Sequence, residues 1–214
     1  MTITASQVAD HLLKIKAIKL QPKNPFTWAS GLKSPIYCDN RVLLSYPAIR
    51  KDIIQAFREK SSQFEPFDVV AGVATAGIAH GALLAEALDK PFIYVRSKAK
   101  AHGMQNLIEG YLPENSTVLV IEDLISTGKS SLAACKALLE DGAQIKAVLA
   151  IFSYGFDIAK EVFDAENIPT DTLSNYARLI EVAYSTNYIN EEERNMLNAW
   201  NSNPKEWAEK YNQG

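Results

Sequence analysis

The chain has 214 residues, 47% of them hydrophobic, and a formal net charge of −3 at pH 7. This length is typical of one domain with a sizeable core, and the charge balance provides no basic field for nucleic acid or a membrane surface. Charged residues interrupt the N-terminal apolar stretch, so we expect no signal peptide, and the longest apolar run, 147–152, is too short to span a bilayer. The two cysteines lack a metal-ligand spacing, which favours a reduced cytoplasm over a disulfide framework.

Hydrophobic periodicity divides the chain into a helical start, a turn-rich segment and a long alternating region. A first helix is predicted over 6–18, and a second begins after Ser45, the expected N-cap, with Pro47 in its first turn. Between them, prolines and glycines over 21–41 indicate turns and short strands. From residue 68 onward the predicted strands are 68–72, 91–95, 105–111, 117–121, 145–152 and 170–173, and the predicted helices are 77–88, 129–140, 156–167 and those after residue 175.

This alternation predicts the fold class and its division along the chain. Short apolar strands separated by helices favour an α/β fold with a mainly parallel, twisted sheet flanked by helices. We expect residues 1–45 to form an N-terminal helix and a small hood that admits the ligand, and residues 46–175 to form the α/β core. Residues 176–214 are expected to pack on that core as helices, so that the whole is a single structural unit. Ligands of such folds bind at the carboxyl ends of the strands.

The segment 118–131, VLVIEDLISTGKSS, is the most informative stretch of the chain. An apolar strand runs into two adjacent acids, Glu122 and Asp123, and then into a hydroxyl and glycine turn that opens a helix. Backbone N–H groups of such a turn can hold a phosphate, while the acids meet sugar hydroxyls or a hydrated Mg²⁺. The Gly-Lys-Ser sequence of this turn is not a P-loop, because Asp123 stands where that motif needs glycine. Taken alone, the acids could equally be helix-start charges or a structural pair.

Three further segments have a functional and a plainer interpretation. The small residues of 72–77 follow a strand and open a helix, so they form either an anion-binding loop or only a tight β–α turn. Three cations and a histidine in 96–103 form either an active-site loop or a solvated polar loop. The segment 26–37, FTWASGLKSPIY, is by composition only a turn-rich surface segment.

Segment 118–131 resembles the 5-phosphoribosyl diphosphate (PRPP) signature of the type I phosphoribosyltransferases. Segments 26–37 and 96–103 are similar to those of the orotate phosphoribosyltransferases of that family, and the resemblance extends over 25–154. It implies the type I fold and transfer of ribose 5-phosphate from PRPP to N1 of orotate. The products would be orotidine 5′-monophosphate and pyrophosphate, in de novo pyrimidine (UMP) synthesis. It also implies an Mg²⁺ cofactor and a cytoplasmic homodimer that shares its active sites between subunits.

The resemblance assigns roles to individual residues. Lys100, His102 and Asp123 would be catalytic, with Lys100 neutralising the departing pyrophosphate and His102 binding or protonating it. Asp123 would reach Mg²⁺ through water, and the metal would have no direct protein ligand. PRPP would contact Arg96, Lys100, His102, Glu122, Asp123, Leu124, Ile125, Ser126, Thr127, Gly128, Lys129 and Ser130. The pyrophosphate loop would be Ala74, Thr75, Ala76 and Gly77, and orotate would contact Ser30, Lys33, Tyr37 and Ser126.

The chain departs from the family pattern at three places. Many relatives have lysine where Ala76 and Ala29 stand here, so the pyrophosphate loop depends more on backbone amides and Mg²⁺. Many also have an arginine that pairs with the orotate carboxylate after the strand predicted to end at Phe152. Ser153, Tyr154 and Gly155 offer no such charge. The sequence leaves open whether Lys33 or Arg41 replaces it.

Three other functions compete with this interpretation. The nearest is a phosphoribosyltransferase that acts on a purine or on uracil. A second is a PRPP-sensing regulator without turnover, but such regulators attach the signature to a DNA-binding domain, and the first 67 residues do not look like a basic winged helix. A third is a structural α/β domain in which the turns are coincidental.

Overall fold

A computed structural model describes residues 3–28, 31–97 and 107–212. Within these residues the helices are α1 Ala5–Lys14, α2 Pro47–Ser61, α3 Ala76–Leu88, α4 Lys129–Glu140, α5 Asp157–Asp164, α6 Tyr176–Ser185, α7 Glu191–Ser202 and α8 Pro204–Asn212. The strands are β1 Ile18–Leu20, β2 Phe26–Thr27, β3 Lys33–Ser34, β4 Ile36–Cys38, β5 Val69–Val73, β6 Phe92–Val95, β7 Ile108–Glu109, β8 Thr117–Ile125, β9 Gln144–Ser153 and β10 Thr170–Asn175. Two 3₁₀-helices cover Asn40–Ser45 and Ser62–Phe64.

A six-stranded sheet with the order β10-β9-β8-β5-β6-β7 forms the centre of the molecule. Its pairs are parallel except for β7, which runs antiparallel to β6. The middle strands are apolar on both faces, and Val118 through Ile121 are fully buried, because helices cover the sheet from both sides. The predicted α/β class with a mainly parallel sheet is therefore confirmed.

The N-terminal segment lies against the carboxyl end of β8. Its β1 and β4 form one antiparallel pair, and β2 and β3 form a short hairpin. The amide of Asn40, at the start of the first 3₁₀-helix, donates to the main-chain carbonyl of Asp123 at 2.7 Å. This contact fixes the end of β4 beside the acid pair, so the segment borders the edge of the sheet where ligands are expected.

The C-terminal helices hold this N-terminal segment in place. The Trp200 side chain of α7 is fully buried and meets the ring of Trp28 edge-on at 5.9 Å between centroids. Lys23 forms an ion pair of 2.9 Å with Glu192, and the hydroxyl of Tyr211 in α8 donates to the Lys23 carbonyl at 2.9 Å. The turn before the β2–β3 hairpin is therefore tied to the last two helices.

Several predicted boundaries were wrong by a few residues. The strand predicted over 117–121 continues to Ile125, so Glu122 and Asp123 lie within β8 rather than after it. This extension is stabilised by β9, which pairs with β8 as far as Ile125 opposite Ser153. Ser45 is not the N-cap of α2: it ends the preceding 3₁₀-helix, and Tyr46 occupies the N-cap position without a side-chain hydrogen bond.

Two apolar clusters pack the two faces of the sheet. One joins α1, the N-terminal strands and the C-terminal helices through residues such as Leu12, Ile36 and Trp200. The other lies under α4 and α5 through residues such as Leu138 and Phe163. No helix in the described part of the chain is long and apolar enough to cross a membrane.

Candidate active site

The loop after β5 and the loop after β8 meet at the carboxyl edge of the sheet, because α3 begins directly against β8. Strands β5 and β8 are neighbours, with Gly72 opposite Ile121. A Cβ atom on Gly77 would lie 2.5 Å from the Ile121 carbonyl oxygen, so no other residue fits without moving the backbone. The loop that follows β5 is therefore held next to the acids that follow Ile121.

The Glu122 carboxyl group is buried, and both of its oxygens have partners inside the protein. It is only 4% exposed, accepts from the Asp123 backbone N–H at 3.0 Å, and accepts from the Ser131 hydroxyl at 2.9 Å. Burial, with the neighbouring Asp123 charge, raises the pKa of Glu122 to about 8. Glu122 thus ties the end of β8 to the first turn of α4, where Ser131 lies.

Asp123 is the more accessible acid of the pair. It is partly exposed, although burial raises the pKa of its carboxyl above the ordinary value. The Asn40 amide holds its main-chain carbonyl, and the Asn40 side chain is itself fully buried. Sequence reasoning missed Asn40, because a single asparagine in a turn-rich segment carries no periodic or motif signal.

The turn over residues 126–128 has the features of an anion site. Gly128 adopts φ 76° as the N-cap of α4, and a Cβ there would lie 2.8 Å from the Phe163 ring. No side chain caps this helix start. Within the described residues, no acceptor takes the N–H groups of Ser126, Thr127 or Gly128. Free N–H groups at a helix N-terminus favour a bound phosphate.

The loop over residues 74–77 presents a second helix start at the same edge. The Ala74 N–H donates to the Val95 carbonyl at 2.8 Å, and the peptide bond between Ala74 and Thr75 is cis. Thr75 is exposed at the N-cap of α3 and makes no capping hydrogen bond with its side chain. The loop is therefore anchored on its β6 side and open on the other.

Arg96 lies at the end of β6, beside this loop. Its guanidinium is 3.3 Å from the Glu109 carboxylate. The Arg96 backbone N–H donates to the Leu107 carbonyl at 2.8 Å. The predicted site residues Ser30, Lys100 and His102 lie outside the described residues.

A cavity of about 260 Å³ adjoins the anion-binding turn. Tyr37 is 40% exposed at its rim, and the ring of Trp28 stacks on Tyr154 at 5.7 Å between centroids. Because Leu124 and Ser126 line the cavity, it opens beside the turn over 126–128. We call this cavity the base cavity, because sequence analysis predicts that a pyrimidine base binds near Tyr37 and Ser126. It is lined by Thr27, Trp28, Tyr37, Cys38, Leu124, Ser126 and Tyr154. Sequence reasoning named Tyr37 and Ser126 as contacts of the ring but not Trp28 or Tyr154.

A larger cavity of about 420 Å³ lies on the β9–β10 side and shares Tyr154 with the base cavity. Its lining includes no residue of 72–77 or 126–130, so it has no contact with either helix start. The smaller cavity is therefore the better candidate for a ligand that also contacts the helix starts. Within the described residues, no three side chains of histidine, cysteine, aspartate and glutamate lie close enough together to hold a metal.

The arrangement joins two kinds of binding site. The open helix starts suit anions, and Asp123 can accept hydrogen bonds from a polyol between them. The base cavity has aromatic walls that suit a flat ring. These features fit a protein that binds a phosphorylated sugar beside a planar heterocycle.

Comparison with known proteins identifies this class. A family model described as phosphoribosyl transferase domain matches residues 40–176. Proteins named orotate phosphoribosyltransferase from Listeria innocua and Bacteroides thetaiotaomicron are each 52% identical, over 94% and 93% of this chain and 97% and 94% of their own length. The crystal structure of orotate phosphoribosyltransferase from Aeropyrum pernix matches with a TM-score of 0.75 and 27% identity, over 86% of this chain and 99% of that one. The chain belongs to the phosphoribosyltransferase family and, within it, to the orotate phosphoribosyltransferases.

The raised pKa of Glu122 predicts how stability depends on pH. The folded protein holds this pKa at about 8, above the ordinary 4.5, so the folded state binds more protons than the unfolded state between these values. Stability is therefore lost as pH rises through that window. The glutamine side chain of Glu122→Gln does not titrate. We therefore expect the Tm of this variant in metal-free buffer to vary less between pH 4.5 and about 8 than the Tm of the wild type.

Glu140→Gln, on the exposed surface at the end of α4, is the matched control and should follow the wild-type pH dependence. If Glu122→Gln and the wild type lost stability in parallel as pH rose, the assignment of a protonated Glu122 would be wrong.

Proposed function

We propose that the protein transfers ribose 5-phosphate from PRPP to N1 of orotate, releasing pyrophosphate and forming orotidine 5′-monophosphate for UMP synthesis. One observation carries the proposal: the base cavity shares Leu124 and Ser126 with the segment that forms the anion-binding turn. A ring in this cavity is thus next to a sugar whose phosphate occupies the turn. The names of the close relatives point to the same reaction.

PRPP is bound at both of its charged ends. The 5′-phosphate occupies the turn over residues 126–130, where free N–H groups and hydroxyls donate to it. Its pyrophosphate lies in the loop over residues 74–77, and its ribose hydroxyls face Asp123. Charge-assisted bonds of this kind are worth roughly 1.5–3 kcal/mol each. Arg96, at the end of β6, lies on the side of that loop and would contact the pyrophosphate there in competition with Glu109.

The donor set suits Mg²⁺ bound with the substrate rather than a dedicated metal site. Asp123 offers a partly exposed carboxylate, whereas the Glu122 oxygens already have protein partners. A hard cation that keeps several waters and takes few protein ligands fits this arrangement. When bound, Mg²⁺ would neutralise charge on the pyrophosphate, and Asp123 would be the residue that holds it, through water.

The chain needs no nucleophile for this reaction. Displacement at the anomeric carbon passes through an oxocarbenium-like state, and the protein must align the two reactants and stabilise charge on the leaving group. Orotate supplies its own anionic nitrogen once the N1 proton is lost. The base cavity and the anion-binding turn do the aligning, because they fix the ring and the sugar separately.

We propose that the loop over residues 96–103 closes over the site of a neighbouring subunit. Lys100 neutralises the departing pyrophosphate, and His102 binds or protonates it while the closed loop excludes water. The protein would thus act as a homodimer with shared active sites. We place it in the cytoplasm, where the free thiols of Cys38 and Cys135 stay reduced.

The substrate is tested by turnover with PRPP and Mg²⁺ against orotate, uracil, hypoxanthine and adenine. We expect loss of orotate absorbance with release of pyrophosphate, and little product from the other three bases. If the protein turned over uracil or a purine in preference to orotate, that base would be the substrate instead. Tight PRPP binding without pyrophosphate release from any base would favour a regulator instead.

Lys100→Ala tests the closing loop. Loss of one charge aimed at the leaving group should lower kcat by at least about 10²-fold. The circular dichroism spectrum and Tm should match the wild type, because the proposed role of Lys100 is in the reaction and not in the fold. Lys51→Ala, on the exposed side of α2, is the control. Unchanged turnover in Lys100→Ala would remove this lysine from the mechanism.

Sharing of active sites predicts complementation between two inactive variants. Mixing a Lys100→Ala chain with an Asp123→Asn chain should restore activity, because one of the two sites in a mixed dimer then has both residues. The measurement is the activity of the unfolded and refolded mixture compared with each parent treated alone. Mixtures no more active than the parents would indicate that each subunit is self-sufficient.

A further inference from the structure

The described residues that line the base cavity offer no charge to an acidic ring. They have neutral side chains, with Trp28, Leu124 and Tyr154 forming apolar walls. On the β9 side the chain continues as Ser153, Tyr154 and Gly155, and none of these is a cation. A carboxylate placed in such surroundings needs a partner, because an unpaired buried charge is costly.

The Lys33 side chain contacts the lining of this cavity through Thr27. It pairs directly with Thr27 across the β2–β3 hairpin, so the two side chains lie on the same face. The Lys33 ammonium donates to the Thr27 hydroxyl at 3.0 Å, and Thr27 lines the cavity. Among the described residues, no carboxylate forms an ion pair with Lys33. Its ammonium is therefore held at the cavity by a neutral hydroxyl, with N–H donors to spare.

Arg41 is another cation on this side of the molecule, but its charge is already matched by Asp39. Its Nε atom is 2.6 Å from the Asp39 carboxylate, and the Arg41 backbone N–H donates to the same oxygen at 3.2 Å. This pairing lowers the pKa of Asp39 and raises that of Arg41. A second carboxylate at Arg41 would compete with Asp39, whereas Lys33 has no such competitor.

We infer that Lys33 is the specificity-determining residue that pairs with the carboxylate of the acidic pyrimidine. The inference rests on the proposed function and assigns to Lys33 the charge that an arginine after β9 supplies in many relatives. The hairpin suits this task, because α8 packs against β3 and fixes the strand that carries Lys33. The enzyme thus recognises the ring with its aromatic walls and the carboxylate with a lysine at the opening.

The test compares Lys33→Met with the wild type on two ligands. Orotate carries the carboxylate, and orotamide is the same ring with a neutral carboxamide. We expect the KM for orotate to rise by about 10- to 100-fold, the scale of one charge-assisted hydrogen bond. The inhibition constant of orotamide and the KM for PRPP should stay within about threefold of wild type, because neither ligand uses the Lys33 charge.

Lys33→Arg should recover most of the affinity for orotate, and Lys51→Met should behave as the wild type. Equal weakening of orotate and orotamide would mean that Lys33 only supports the hairpin, and an unchanged KM for orotate would place the counter-charge elsewhere. Either result would overturn the inference while wild-type turnover of orotate still supported the proposed function. If the wild type preferred a neutral base to orotate, the proposed function and this inference would both fail.

Discussion

The close approach of α3 to β8 is the contact on which the rest of the site depends. Gly77 brings the helix backbone so near the Ile121 carbonyl that a methyl group would not fit. Since Glu122 follows Ile121 directly, this contact sets the distance between the loop after β5 and the acids of β8. Two helix starts then open on the same small volume, and a ligand with an anion at each end can be held by backbone groups alone.

The two adjacent acids, Glu122 and Asp123, differ in their burial and in their partners. Glu122 is buried, linked to Ser131, and has a pKa high enough to keep it largely protonated near neutral pH. Asp123 is more exposed, and its backbone is fixed by Asn40. A neutral Glu122 avoids placing two full negative charges side by side before a substrate arrives. A single accessible carboxylate suits a sugar hydroxyl or a hydrated cation, and it would repel phosphates less than two charged carboxylates would.

The sequence predicted the sheet and the two turns that open α3 and α4, because both depend on local patterns. Apolar runs such as 118–121 identify buried strands, and small residues at a strand end identify a turn that opens a helix. The extension of β8 to Ile125 could not be predicted, because it depends on pairing with β9 rather than on its own residues. Asn40, Trp28 and Tyr154 were missed as site residues for the same reason: each acts through partners far away in the chain.

The β2–β3 hairpin depends on the last two helices, α7 and α8, for its position. A two-stranded hairpin is marginal in water on its own. Here Trp200 packs against Trp28, and Tyr211 holds the carbonyl of Lys23 from 188 positions further along the chain. Loss of these two helices would therefore leave the Trp28 wall of the base cavity without the contacts that position it.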